Sequence, residues 1–251
     1  MAASGNSDPC EILPWDSEFF GRRIARVTST RLDEDRVAQI EAWCAEHAVD
    51  CLYLLADSGD PRTTILAVSH GFLPVDVRVT LELPLIADAR AAFPATAALR
   101  VRQARPEDLE ALKAIARTAH RDTRFYFDPG FPNTRCDDLY ALWIEKSCGE
   151  FADAVFVAEH ASRPSGYVTC HVECGHGKGR IGLVGVAEHA RGHGAGKALV
   201  RRACAWLGKH GCERVQVVTQ GRNVPAQRLY ERVGFLTRSA QPWFHKWFER
   251  T

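Results

Sequence analysis

The sequence predicts an α/β protein built around a mixed sheet. Strand-like apolar runs alternate with helical patterns along the 251 residues, as they do in α/β folds. The most informative junction is the apolar run 181–186, which leads through a glycine-rich turn into an amphipathic helix. Hydrophobic residues make up 46% of the chain, enough to bury a core in one or two domains.

The first part of the chain, residues 1–95, is predicted to be a smaller α/β domain. Its expected elements are strands at Ile24–Val27, Cys51–Leu55 and 75–83, with helices at 33–47 and Pro61–Ser69. Gly71-Phe72 before a strand echoes Gly234-Phe235 before a strand, which suggests a reduced copy of the second domain with an acceptor-side or structural role. The Ala-rich segment 84–98 carries two prolines and is interpreted as a linker or a loosely held helix.

The second part, residues 99–251, is predicted to run strand, two helices, three strands, helix, strand, helix, strand. The expected strands are 101–104, 154–159, 167–173, 181–186, 214–219 and the aromatic segment 243–248, whose residues should alternate between two faces. The expected helices are 106–120, 137–147, 194–209 and 225–232, and an irregular loop is expected at 121–135.

Composition and charge exclude several classes of protein. The formal net charge is +1, so no global basic field points to nucleic acid. No apolar run has the length of a bilayer span, and residues 1–9 lack the features of a secretion signal, so a cytoplasmic protein is expected. The nine cysteines, an odd number, are interpreted as reduced thiols rather than a disulfide framework.

The glycine-rich turn after residue 186 predicts a phosphate-binding loop. Arg191-x-x-Gly194-x-Gly196 opens the helix 194–209, and the first amides of a helix are unpaired and lie at the positive end of its dipole. The loop is not a Walker A motif, because Ala198 stands where the metal-binding hydroxyl belongs. Nor do its glycines have the Gly-x-Gly-x-x-Gly spacing of a dinucleotide fingerprint. A glycine-rich helix start that serves packing alone is the alternative.

A second motif follows in order and at a suitable separation. Asn223-x-x-Ala226-x-x-x-Tyr230-x-x-x-Gly234-Phe235 covers a short helix and its stop. The two motifs together resemble those of the GCN5-related N-acetyltransferase (GNAT) superfamily, whose fold matches the order of elements in 99–251. The resemblance implies an N-acetyltransferase that uses acetyl-CoA as co-substrate and needs no metal.

A closer resemblance, within that superfamily, is to the dTDP-fucosamine acetyltransferases, and it covers nearly the whole chain. It rests on Trp-Asp-Ser-Glu-Phe-Phe-Gly at 15–21, Arg124-Phe125, Tyr-Ala-Leu-Trp-Ile-Glu at 140–145, Arg-Ile-Gly-Leu at 180–183 and Val-Thr-Gln at 218–220. Such enzymes acetylate the amino group of a nucleotide-linked amino sugar for surface polysaccharides. The resemblance therefore implies a small-molecule acceptor of that class.

Acetyl-CoA should meet three groups of residues. The free backbone groups of 183–186, with Val184, Gly185 and Val186 at their centre, are expected to hold the pantetheine chain and the thioester oxygen. The pyrophosphate should lie on the loop, formed by Arg191, Gly192, His193, Gly194, Ala195, Gly196 and Lys197. Asn223 is expected to cap its helix, to bond the cofactor, or both.

Tyr230 is the candidate catalytic residue. By resemblance it is the general acid that protonates the departing thiolate of coenzyme A, and a phenol with an ordinary pKa near 10 carries its proton at neutral pH. Packing of Tyr230 against Phe235 is the structural alternative. His171 and Glu173 share one face of a strand and could take the amine's proton, directly or through water. A solvated strand end, or attack by an already neutral amine, would make such a base unnecessary.

The acceptor is expected at the loop 121–133, through Arg124, Phe125 and Tyr126. Aromatic rings stack on sugar or base faces, and arginine pairs with phosphate in a two-bond fork. A loop of this composition could equally fold over the core or meet a second copy of the chain in a homodimer.

A metal site is a weak alternative. Cys170, His171, Cys174 and His176 form a small cluster, followed by His189 and His193, but their spacing fits paired zinc ligands only loosely. Two other functions stay open: acetylation of another amine, such as a peptide, an antibiotic or a polyamine, and a non-catalytic module that binds acyl-CoA.

Overall fold

A computed structural model describes residues 8–85, 100–173 and 175–248, which form ten strands and seven helices. The strands are β1 (Cys10–Ile12), β2 (Ile24–Val27), β3 (Cys51–Leu55), β4 (Leu73–Pro84), β5 (Arg100–Gln103), β6 (Ala154–His160), β7 (Arg163–Glu173), β8 (Lys178–Val186), β9 (Arg214–Gln220) and β10 (Leu236–Trp247). The helices are α1 (Pro14–Phe20), α2 (Glu34–Glu46), α3 (Pro61–Ser69), α4 (Leu109–Ala119), α5 (Asn133–Lys146), α6 (Ala195–Lys209) and α7 (Val224–Glu231). Strands of both parallel and antiparallel pairing occur, which confirms the mixed α/β class. None of the helices in these ranges is long and apolar enough to cross a membrane.

The chain divides into two compact units. The first unit contains residues Met1–Arg78, Arg124–Pro132 and Ala240–Thr251, and the second contains Val79–Thr123 and Asn133–Ser239. The predicted linker 84–98 falls almost wholly outside the described residues, so the domain boundary near residue 95 stays a prediction.

The first unit has strands in the order β1-β2-β3-β10. β2 and β3 are parallel, while β1 and β10 run antiparallel to their neighbours. The carboxylates of Asp33 and Asp60 accept hydrogen bonds from the backbone N–H groups of Arg36 and Arg62 and so cap α2 and α3. The core of this unit lies between these helices and the strands and includes Ile40, Leu52, Leu54, Leu66 and Phe244.

Helix α1 was not predicted as a helix. Its residues carried the family motif, but the seven-residue segment gives no periodic apolar stripe. The Ser17 hydroxyl donates to the Leu13 carbonyl at 2.7 Å and accepts the Ile24 amide at 3.0 Å. Gly21, at φ 63°, ends the helix in the left-handed conformation that glycine adopts most easily.

The second unit has strands in the order β4-β9-β8-β7-β6-β5, and β4 belongs to it from Val79 onward. Along the chain, the elements from β5 to β10 follow one another as predicted. Helix α6 packs on the sheet through residues such as Leu199 and Ala203, which share a core with Val168, Cys170 and Val215. Several boundaries differ from prediction. β10 begins at Leu236 rather than 243, and β8 begins at Lys178 rather than 181. α5 begins at Asn133 rather than 137, and the turn before β7 lies at Ala161 and Ser162, both with positive φ, rather than at 163–166.

The segment 124–132, predicted as an irregular loop, contains a 3-10 turn at Arg124–Phe127 and is fixed within the first unit by Asp128. The Asp128 carboxylate accepts hydrogen bonds from His245 Nδ1 at 2.5 Å, Trp247 Nε1 at 2.9 Å and the Gly130 amide at 2.9 Å. Burial favours the protonated acid, but these bonds outweigh it and hold the pKa of Asp128 below its ordinary value. The alternation predicted for 243–248 is confirmed. Phe244 packs in the core of the first unit, whereas His245 and Trp247 contact Asp128 on the other face of the strand.

We expect Asp128→Ala to lower the free energy of unfolding by about 3 kcal/mol or more, because three donors would lose their acceptor in a dry site. Urea unfolding measures this. Asp122→Ala is the matched control, since Asp122 is exposed and the change should stay within about 0.5 kcal/mol. Equal stability of the two variants would contradict a role for Asp128 in holding the segment.

Candidate active site

The centre of the candidate site is the point where β8 separates from β9. The two strands pair in parallel from Lys178 and Arg214 as far as Ile181 and Val217, whereas β8 continues to Val186 and β9 to Gln220. A bulge in β8 lies at the same point, because Gly182 and Leu183 together oppose the single residue Thr169 of β7. The predicted separation of β8 from its neighbour is therefore present.

The exposed backbone beyond the bulge comes from Val184 and Val186. The Ala187 amide donates to the Ser165 carbonyl on the β7 side, and alternate residues of a strand point to alternate edges. Val184 and Val186 thus direct their N–H and C=O groups into the gap, and Arg191 Nε donates to the Val186 carbonyl at 3.3 Å. The Leu183 amide is not free as expected, since it donates to Thr169 Oγ1 at 2.8 Å.

Gly185 faces β7 rather than the gap. A methyl group at this position would lie 2.6 Å from the ring of Tyr167, so only glycine fits. The Tyr167 hydroxyl is 2.8 Å from His120 Nε2, and the His120 ring stacks on Tyr140 at 4.6 Å. Burial, with the nearby charge of Arg191, lowers the pKa of His120 to about 4, so the ring is neutral at neutral pH.

Sequence reasoning missed His120 and Tyr167. His120 follows the last residue of α4 and Tyr167 lies in β7, and 47 positions separate them in the chain. The one sequence signal was Gly185 on β8, because a glycine within a strand indicates the close approach of a neighbouring group, here Tyr167 on β7.

The predicted phosphate loop lies before α6. Gly192 and Gly194 have φ values of 81° and 84°, and Gly194 caps α6 without any side-chain hydrogen bond. No described residue accepts a hydrogen bond from the amides of Gly192, His193 or Gly194. Arg191 and Lys197 add positive charge, and neither has an ion-pair partner among the described residues.

Gly196 lets the first turn of α6 approach α7 closely. A methyl group on it would lie 3.0 Å from Leu229 Cδ2, the residue before Tyr230. The packing role of this glycine is therefore present, and it is compatible with the predicted binding of an anion by the loop.

Tyr230 lies on α7 and is 4% exposed. Burial raises its pKa above the ordinary value, so the phenol keeps its proton across the neutral range. Its ring is 5.8 Å from that of Phe235, and no described group hydrogen-bonds its hydroxyl. The packing contact exists, and the hydroxyl remains available to a ligand.

Asn223 caps α7, as the sequence predicted. Its Oδ1 accepts the Ala226 amide at 3.1 Å, which leaves the NH₂ group for other partners. The additional contact with the cofactor stays a prediction.

The two candidate bases differ in environment. Glu173 is exposed at the end of β7, as a solvated strand end would be. His171 is 9% exposed and lies edge-on to Phe151, and its Nε2 is 2.6 Å from where a Gly182 methyl would be. Burial and the charge of Arg180 lower the pKa of His171 to about 4, so this ring is neutral at pH 7 and less basic than an ordinary imidazole. A solvated strand end is therefore the wrong interpretation for His171.

The three predicted acceptor residues belong to the first unit. The Arg124 guanidinium lies over the rings of Phe125, Trp243 and Tyr53 at 4.4, 4.5 and 4.9 Å. Phe125 is only 2% exposed, which fits the alternative of a loop folded over a core better than a stacking surface. Tyr126 is half-buried.

The cysteine–histidine cluster considered for a metal is not brought together among its described members. Cys170 is buried in β7 while His176, His189 and His193 are exposed, and Cys174 lies outside the described residues. Ligand atoms of Cys51, Asp128 and His245 do lie within 4.8 Å of one another. Both Asp128 oxygens and His245 Nδ1 already take part in hydrogen bonds, so this group is better explained as internal bonding.

Residues 113–235, which contain both motifs, the β8 gap and the loop before α6, match the acetyltransferase (GNAT) family. The chain belongs to the GNAT family. It is therefore an N-acetyltransferase, and enzymes of this family use acetyl-CoA. The backbone gap, the loop amides and the unpartnered Tyr230 hydroxyl suit a ligand with a thioester at one end and a pyrophosphate along its length.

Two relatives and one solved structure illustrate the similarity. The chain is 28% identical over 243 residues to a dTDP-fucosamine acetyltransferase of Escherichia coli, covering 94% of this chain and 97% of that one. It is 30% identical over 178 residues to a mycothiol acetyltransferase of Arthrobacter, covering 68% of this chain and 52% of that one. A GCN5-related N-acetyltransferase from Sphaerobacter thermophilus matches 95% of this chain and 76% of its own at a TM-score of 0.68 and 19% identity, which supports the fold.

We expect Gly194→Glu to weaken coenzyme A binding at least about tenfold, because a carboxylate at the start of α6 repels the pyrophosphate and occupies its place. Calorimetry measures the affinity. Gly211→Glu is the matched control, since Gly211 has a similar φ of 82° with open space around it, beyond the other end of α6. Unchanged affinity in the Gly194 variant would show that the loop does not bind the pyrophosphate.

Proposed function

We propose that this GNAT enzyme acetylates the amino group of a nucleotide-linked amino sugar of the dTDP-fucosamine type, in the synthesis of surface polysaccharides. The observation that carries this proposal is the similarity to a dTDP-fucosamine acetyltransferase over 94% of this chain and 97% of the relative. A likeness that includes the first unit supports a shared acceptor class more strongly than one confined to the acetyltransferase domain would.

Acetyl-CoA supplies the activated acetyl group, and the residues of the second unit bind and orient it. The loop amides and the charges of Arg191 and Lys197 hold the pyrophosphate, with Asn223 as a further polar contact. The backbone groups of Val184 and Val186 bind the pantetheine amides and polarise the thioester carbonyl. Because these groups are fixed by the strand, they need no rearrangement when charge develops on the oxygen.

Tyr230 acts as the general acid. Its buried phenol is protonated at neutral pH and has no internal partner that competes for the proton. As the amine nitrogen bonds to the acetyl carbon and the carbon–sulfur bond breaks, the Tyr230 hydroxyl gives its proton to the leaving sulfur.

The proton lost by the amine has two routes. An acceptor that arrives as the neutral amine needs no base before attack, and water takes the proton afterwards. Alternatively, the neutral ring of His171 accepts it, directly or through a water molecule.

A second candidate acceptor is a different amine. The similarity to a mycothiol acetyltransferase is slightly higher in identity, at 30%, although it covers only 52% of that relative. Acceptor preference in a shared fold depends on the loops around the site, so this similarity keeps other amines in consideration.

The deciding experiment is a thiol-release assay with acetyl-CoA across dTDP- and UDP-linked amino-deoxysugars, with polyamines, an aminoglycoside and a peptide mixture as controls. Activity confined to a nucleotide sugar is the expected result. Turnover only with the controls would overturn the acceptor class and leave the acetyltransferase reaction. No turnover with any amine, together with tight binding of acetyl-CoA, would favour a non-catalytic acyl-CoA module.

We expect Tyr230→Phe to lower kcat about 100-fold or more while the Kd for acetyl-CoA stays the same, because only the proton donor is lost. Unfolding in urea should be little changed, since the hydroxyl has no internal hydrogen bond to lose. Steady-state kinetics and calorimetry give the two numbers. A variant with full turnover would remove Tyr230 from the chemistry.

A further inference from the structure

The first unit contains two arginines that have no ion-pair partner among the described residues. Neither Arg78 nor Arg124 forms an ion pair or hydrogen bond through its guanidinium with any described residue, although both are partly buried. Buried charges in proteins are normally paired or bind a ligand. Two such groups in one unit point to an anion that completes them.

Arg124 is held in a fixed position by aromatic rings. Its guanidinium lies between 4.4 and 4.9 Å from the ring centres of Phe125, Trp243 and Tyr53. These contacts orient the planar group but offer no acceptor for its N–H donors. Arg124 Nε is buried without a partner, and so is the hydroxyl of Tyr53, a residue only 1% exposed.

Arg78 shares this environment. It lies on β4, the neighbour of β10, which carries Trp243. Burial, and to a smaller extent the charges of Arg124 and Arg26, lowers the pKa of Arg78 below its ordinary value. An anion placed between Arg78 and Arg124 would be attracted by both charges.

Asp16 forms no ion pair with Arg124 or Arg26, although the charges of both arginines act to lower the pKa of its carboxyl. Burial acts more strongly and raises that pKa above its ordinary value. Arg124 Nε and the Tyr53 hydroxyl have no hydrogen-bond partner among the described residues.

We propose that Arg78 and Arg124, with the Tyr53 hydroxyl as a third donor, bind the diphosphate of the nucleotide-linked acceptor within the first unit. The inference rests on the proposed function, and it assigns Tyr53 and Arg78 roles that no motif indicated. Arginine presents paired N–H donors that match two phosphate oxygens, and two arginines match a ligand of several negative charges better than a single carboxylate. The Trp243 ring beneath Arg124 adds an apolar face for the sugar or the base.

This site is distinct from the loop before α6, which takes the pyrophosphate of coenzyme A. A test must therefore keep the coenzyme loop filled. We would titrate dTDP, and separately inorganic pyrophosphate, into protein saturated with coenzyme A and follow binding by calorimetry.

The variants for this test are Arg78→Gln and Arg124→Gln. Each should weaken dTDP binding at least about tenfold, because a charged donor pair is lost, and leave coenzyme A binding unchanged. Arg62→Gln is the matched control, with the same loss of charge at an exposed position of the same unit, and should bind as the wild type does. Arg78→Lys keeps the positive charge but loses the paired N–H donors of the guanidinium. Its affinity for dTDP should lie between those of the wild type and Arg78→Gln, which separates loss of the site from misfolding.

Wild-type affinity in both glutamine variants would overturn the proposal and leave the arginines as structural cations. So would the absence of dTDP binding in a wild-type enzyme that acetylates a nucleotide sugar, a result that leaves the proposed function intact. Arginine-dependent dTDP binding without turnover of any nucleotide sugar would support the anion site and reject the acceptor. Binding of pyrophosphate alone as tightly as dTDP would show that the phosphates carry the recognition.

Discussion

Strands β8 and β9 run side by side only as far as Ile181 and Val217, and the reactive end of the second unit depends on that separation. Were the pairing continued, the backbone groups of Val184 and Val186 would be satisfied by β9 and no ligand could reach them. The bulge at Gly182 and Leu183 bends β8 at this point. Thr169 stabilises the bend by taking the Leu183 amide, so a bound thioester meets a rigid strand edge.

The first unit contains buried polar groups of two opposite kinds. The Asp128 carboxylate accepts hydrogen bonds from three donors of its own unit, and these bonds fix the segment 124–132. The guanidinium of Arg124, four residues earlier, stacks on aromatic rings, and its Nε has no hydrogen-bond acceptor among the described residues. Because an unfilled buried donor destabilises a fold, its retention is easier to understand for a group that binds a ligand than for one that only supports packing.

Local signals in the sequence were sufficient for most of the fold. β2, β3 and α3 have the predicted bounds, because each is delimited by nearby turn residues or by a capping aspartate with proline at the first helical position. The loop before α6 could also be predicted, because the spaced glycines and the start of the helix lie within a few residues of one another. α1 was missed because seven residues give no periodic apolar pattern, and the turn at 161–162 was missed because no glycine marks its positive-φ positions.

What the sequence could not predict depends on contacts between distant residues. His120 and Tyr167 meet across 47 positions, and Arg78 acquires its significance only beside Arg124. His171 could be named as a candidate, but only burial in the folded chain shows that its ring is neutral at physiological pH. In each case the sequence gives the type of residue, but only the folded chain gives the neighbours and the burial that determine its role.

The close approach of Gly196 to Leu229 has a consequence for alignment. Gly196 lies in the first turn of α6, within the proposed pyrophosphate loop, and Leu229 directly precedes the candidate general acid Tyr230. This one interhelical contact therefore sets the distance between the proposed pyrophosphate site and the Tyr230 hydroxyl. A side chain at residue 196 would push α7 away from α6, and the proposed proton donor would no longer be aligned with the sulfur of a cofactor held by the loop.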